Sequence, residues 1–111
     1  HFSLGLALNE QGDSAQALKE LQTAVQIDPH FARAWYNLGL LQNATGNPQE
    51  AINSLLRGEK ADPTDPRIPY ARATILIHLG RENEAVTVLR QLLKSHPDDA
   101  EARQLIDFLT R

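Results

Sequence analysis

The side chains with the widest chemical scope in this sequence are four histidines, His1, His30, His78 and His96, and an acidic pair, Asp98 and Asp99. A helix-borne zinc site needs two histidines four residues apart, and a carboxylate pair doing acid–base work needs surroundings that separate its two pKa values. No two of the histidines have that spacing. His30 and His96 flank prolines, His78 falls near a helix end, and Asp98 and Asp99 sit where negative charge favours the start of a helix. The absence of cysteine removes disulfides, thiolate zinc sites and thiol nucleophiles. The glycines are spaced singly and form no phosphate-cradling loop, and Asn43-Ala44-Thr45 fits the glycosylation acceptor pattern but lies on a helix. We expect no catalytic residue, no metal and no cofactor within these residues.

What such residues would have to be positioned by is a repeat. Glycines recur at Gly12, Gly46 and Gly80, alanines at Ala17, Ala51 and Ala85, leucines at Leu21, Leu55 and Leu89, and prolines at Pro29, Pro63 and Pro97, all at an offset of 34 residues. A period of that length belongs to stacked helical hairpins. The glycine serves the sharp turn out of one helix, and the proline stops the next. Apolar residues between them fall at helical spacing: Leu4, Ala7 and Leu8, then Ala17, Leu18, Leu21, Ala24 and Val25 in the first unit. The second unit repeats this with Trp35, Leu38 and Leu41, then Ala51, Ile52, Leu55 and Leu56; the third has Ala73 and Leu76, then Ala85, Val86, Leu89, Leu92 and Leu93. Asp13 with Gln16, and Asn47 with Glu50, are capping-box patterns that start the second helices near residues 14 and 48, and the third-unit equivalent begins near 82. A seventh helix opens after Asp98 or Asp99 and carries Ala102, Leu105, Ile106, Phe108 and Leu109.

With these residues in place the chain resembles the tetratricopeptide repeat family. Trp35, Leu38, Gly39, Gly46, Ala51, Leu55 and Pro63 hold the family's positions in the second unit, Leu4, Gly5, Gly12, Ala17, Leu21, Ala24 and Pro29 in the first, and Ala73, Gly80, Ala85, Leu89 and Pro97 in the third. The resemblance implies an all-α, right-handed superhelical solenoid of antiparallel helix hairpins. It would form one domain over 1–111, with repeats at 1–31, 32–65 and 66–99 and a closing helix at 100–111. The first repeat lacks the opening of its first helix, and the chain begins at His1 without methionine, so we expect a piece of a longer protein. The third unit departs most. Pro69 and Arg72 replace large apolar residues and Leu92 a small one, and Pro69 biases Ile68 toward extended backbone. Its first helix is expected to start late, near Pro69, or to carry a distorted first turn from Pro66. Gly58 replaces an alanine and suggests a close helix crossing.

The formal net charge is −3, with both signs interspersed, so there is no basic stripe for a nucleic-acid partner. No apolar run approaches the length of a membrane span, so no membrane insertion is expected. Compartment is not readable from these residues.

The resemblance further implies that the first helix of each unit lines a concave groove where partners bind. With Trp35, Leu38 and Leu41 on the core side and Gly39 at the tight crossing, the opposite stripe holds Arg33, Tyr36, Asn37 and Leu40. One period away lie Phe2 and Leu6 in the first unit, and Arg67, Tyr70 and Ala71 in the third. We expect Phe2, Tyr36 and Tyr70 to form an aromatic row, Arg33 and Arg67 to favour an acidic peptide, and Asn37 to meet an extended backbone. The same arginines could instead pair with acids at helix starts. Trp35→Ala is expected to cost about 3–5 kcal/mol of stability, as buried aromatic truncations do.

Family members that clamp a chaperone tail use five polar or charged groups. At the matching positions this sequence has Phe2, Leu6, Asn37, Arg67 and Ala71, of which only Asn37 matches and Arg67 conserves charge, so that specialisation is not expected. An asparagine ladder fails as well, since Ser3 and Ala71 align with Asn37. The expected role is a non-catalytic scaffold binding a protein or peptide. The alternatives are self-association through the repeat ends, using Leu105, Phe108 and Leu109, or a spacer attached to a larger catalytic or transport protein.

Overall fold

The computed structural model describes all 111 residues as seven α-helices without a strand. They are α1 (Phe2–Glu10), α2 (Ser14–Ile27), α3 (Ala32–Ala44), α4 (Pro48–Ala61), α5 (Arg67–His78), α6 (Glu82–Ser95) and α7 (Ala100–Leu109). The second helices begin where the capping patterns place them. Asp13 accepts a hydrogen bond from the Gln16 amide at 3.2 Å, and Asp99 does the same for Ala102 at 3.1 Å, each satisfying an N–H that has no partner inside the helix. Asn47 departs from its capping pattern. Its side chain makes no capping bond, and Pro48 at the first helical position fixes the start instead.

The repeating columns meet distinct physical demands. Gly12, Gly46 and Gly80 adopt φ of 87°, 90° and 77°, a left-handed backbone that a Cβ would strain. Leu21, Leu55 and Leu89 are among the largest fully buried side chains, and Ala17, Ala51 and Ala85 are equally inaccessible. Burying each leucine contributes about 1.5–3 kcal/mol, while the alanines let paired helices approach. The closest approach is at Gly39, where a Cβ would stand 2.8 Å from Leu55 Cγ and 3.2 Å from the Ala51 carbonyl oxygen.

Residues divide into two compact units, His1–Pro63 and Thr64–Arg111. In the first, α1 packs on α2, α2 on α3 and α3 on α4. Its core joins Ala17, Leu21, Ala24 and Val25 of α2 to Ala34, Leu38 and Leu41 of α3, with Phe2, Leu8, Leu18, Phe31 and Trp35 partly buried against them. A polar pair is enclosed too: the buried Ser54 hydroxyl donates to Gln42 Oε1 at 2.6 Å. In the second unit α5 packs on α6 and α6 on α7, around Ile68, Ala73, Ile75, Leu76, Ala85, Val88, Leu89, Leu92 and Ala102.

Four sequence-based expectations need correction. Helix α5 does not start late: Arg67 is its first residue and Ile68 is helical and fully buried. Pro69 falls within the first turn, where its missing N–H would have had no helical partner, and the Tyr70 amide donates to the Pro66 carbonyl at 3.3 Å. Trp35 is half-buried rather than a core residue, because its indole lies along the α3–α4 surface beneath Arg57. Leu4 is 50% exposed and Ala7 is exposed, since the stripe that α3 lays on α2 meets no helix of this chain on α1. Ala71, placed on the open stripe with Tyr70, is buried.

Candidate functional site

In the first unit, the proposed stripe occupies one side of α3, with α1 contributing two residues. Arg33 and Leu40 are exposed, and Phe2, Leu6, Tyr36 and Asn37 are half-buried. Arg33, Phe2 and Asn37 are held by local contacts. The Arg33 guanidinium sits 5.4 Å from the centroid of the Phe2 ring, a cation–π arrangement linking the two first helices. Phe2 also meets Phe31, with centroids 4.7 Å apart and planes at 49°. Asn37 Nδ2 donates to the Arg33 carbonyl at 2.8 Å, which leaves its Oδ1 and a second N–H for other partners. The sequence reading missed Phe31. Its signal was its place one turn before Trp35 and just after a proline turn, where a ring can reach back to the preceding first helix.

In the second unit, Arg67 and Tyr70 lie in the first turn of α5. Arg67 is engaged by its own helix start: Nε donates to Asp65 Oδ1 at 3.0 Å and Nη2 to Oδ2 at 2.7 Å, while Oδ1 also caps the Arg67 amide at 3.0 Å. The hydrogen bond from Arg67 holds the Asp65 carboxyl below its ordinary range, with partial burial opposing it. The pairing with an acid at a helix start is therefore realised for Arg67, and a ligand carboxylate there would compete with Asp65.

Tyr70 opens onto a cleft of about 380 Å³ that it shares with Glu101, Gln104, Leu105 and Phe108 of α7. Phe108 is 64% exposed, and Arg111 covers one side of its ring, 5.7 Å from the centroid. The α7 contribution was legible only in part. Leu105 and Phe108 stood out as apolar residues of the closing helix, yet their spacing did not reveal that they face Tyr70.

Among the remaining polar candidates, His96 and Thr45 have structural partners. His96 Nε2 lies 3.0 Å from the Thr64 carbonyl, tying the turn after α6 to the turn before α5, and its Nδ1 is buried without a hydrogen bond. Thr45 donates to the Leu41 and Gln42 carbonyls at the end of α3. No three histidine or acidic side chains cluster to hold a metal, and no helix is long and apolar enough to cross a membrane.

Sequence profiles described as tetratricopeptide repeat match residues 2–66 and 57–107. Curated protein sequences provide no significant match. Among solved structures, the chain is similar to the Yersinia enterocolitica type III secretion chaperone SycD in complex with a peptide of the translocator YopD. The match has 26% identity and a TM-score of 0.82, covering 98% of this chain and 83% of the other. It is similar in fold to PcrH in complex with the chaperone-binding region of PopD, at 22% identity and TM-score 0.88 over 98% of this chain and 87% of that one. A tetratricopeptide repeat protein from Parabacteroides merdae is likewise similar, at 24% identity and TM-score 0.88, with 97% and 43% coverage.

Proposed function

We propose, since the chain belongs to the tetratricopeptide repeat family, that it is a non-catalytic protein-interaction module that binds a peptide or partner helix along its first helices. In the first unit the binding residues are Phe2, Leu6, Arg33, Tyr36, Asn37 and Leu40; in the second they are Arg67 and Tyr70. The observation that carries this reading is the open cleft beside Tyr70, whose other walls are Leu105, Phe108, Glu101 and Gln104. An aromatic ring with a polar tip, facing apolar side chains and two polar ones, suits a side chain presented by a peptide. Support comes also from SycD, a 26% identical fold neighbour solved with a peptide of its translocator.

The test is capture from lysate of the native organism, with wild type beside a Tyr36→Ala, Tyr70→Ala double variant whose helicity and melting temperature match wild type. A partner retained by wild type and lost by the variant supports the assignment. Equal recovery by both would overturn it. A second reading, self-association, is favoured by the exposure of Leu4 and Phe108. A sedimentation mass that does not change with concentration would exclude it.

A further inference from the structure

The first unit has a hollow of its own with two basic side chains in its wall, away from the stripe just described. Pro29 and His30 from the α2–α3 turn, Trp35 of α3, and Arg57, Lys60 and Ala61 of α4 line a cavity of about 200 Å³. Its charge is out of keeping with its surroundings. Residues 1–63 contain four lysines and arginines against seven acidic residues, yet two of those four line this one cavity, and no carboxylate does. Arg57 and Lys60 are three residues apart on α4 and so share a face. The floor is preorganised: Trp35 Nε1 donates to the Pro29 carbonyl at 2.8 Å, which fixes the indole plane and consumes the backbone oxygen there. The Arg57 guanidinium stands over that plane, 5.3 Å from its centroid.

From this geometry we infer that the hollow is a receptor for one acidic side chain of a partner polypeptide. Its carboxylate would bridge Arg57 and Lys60, and its methylene groups would lie against the part of the Trp35 side chain that lines the cavity. The volume is below that of most small-molecule pockets and suits a single residue. Arg offers a carboxylate a two-pronged donor and Lys a point charge, and the indole gives the aliphatic stem an apolar wall. This site is independent of the first-helix surface and does not rest on that proposal.

Trp35 is the sole tryptophan, so its emission reports directly on the hollow. The experiment titrates the full chain with an acetylated, amidated Glu-Glu-Leu-Glu-Glu peptide and with its Gln-Gln-Leu-Gln-Gln counterpart. Arg57→Gln, Lys60→Gln and Tyr36→Ala, Tyr70→Ala double variants, each with wild-type circular dichroism, are titrated alongside. The expected result is a saturable emission change with the glutamate peptide that is about tenfold weaker or absent with the glutamine peptide and in the Arg57/Lys60 variant, but intact in the Tyr36/Tyr70 variant. The inference is overturned by no saturable change, by equal binding of the glutamine peptide, or by binding that survives loss of Arg57 and Lys60. Binding lost only in the Tyr36/Tyr70 variant would overturn it in favour of the first-helix surface.

Discussion

Gln42 and Ser54 illustrate how single residues set tolerance in this chain. Both are buried, and their 2.6 Å hydrogen bond gives the Ser54 hydroxyl and the Gln42 amide oxygen a partner within the α3–α4 interface. Gln42→Leu would strand the Ser54 hydroxyl and is expected to lower stability by about 1–3 kcal/mol. Adding Ser54→Ala should recover part of that loss, a coupling that urea denaturation of the two single variants and the double variant would measure. Gly39→Ala should also destabilise. The gain in helix propensity, about 1 kcal/mol, is outweighed by a Cβ placed 2.8 Å from Leu55 Cγ in a fully buried site. Thermal melting of this variant, expected below wild type, checks the balance. Trp35→Ala should cost less than about 3 kcal/mol, because the indole is only half-buried. The tight crossing at Gly39 was legible from its place beside Leu38 in the repeat. The half-burial of Trp35 was not, since a large apolar residue at helical spacing looks the same whether a neighbour covers it wholly or in part.

At the scale of elements, the start of α5 shows competing local and tertiary terms. Pro69 argues for a late start, yet burial of Ile68 and the Asp65–Arg67 pair hold the helix from Arg67. The folded-state pKa of Asp65 is lowered by Arg67, so its contribution is present above the ordinary carboxylate pKa of about 3.9 and is lost as pH falls through the folded value. Asp65→Asn should therefore melt below wild type near neutral pH, with the gap closing in strong acid. A gap independent of pH would contradict this. Helix periods and caps were readable because hydrogen-bond and steric rules act within one turn. Which side of α1 stays uncovered was not, because Leu4 and Leu38 occupy the same column and differ only in what packs on them.

For the whole molecule, the 34-residue columns made the all-α repeat architecture legible before any coordinates, since each column meets a separate physical demand. The candidate surface was less so. Helical geometry selected Arg33, Tyr36 and Tyr70, but the Phe31 contact to Phe2 and the α7 wall facing Tyr70 arise from tertiary placement. The proposal made above is that partners meet the first-helix faces. It is tested most directly by placing a photo-crosslinking amino acid at position 36 or 70, with exposed Gln91 as the control position, and identifying adducts from native lysate by mass spectrometry. The same polypeptide is expected to crosslink from 36 and 70 and none from 91. Crosslinking as strong from 91, or adducts from neither first-helix position, would contradict it.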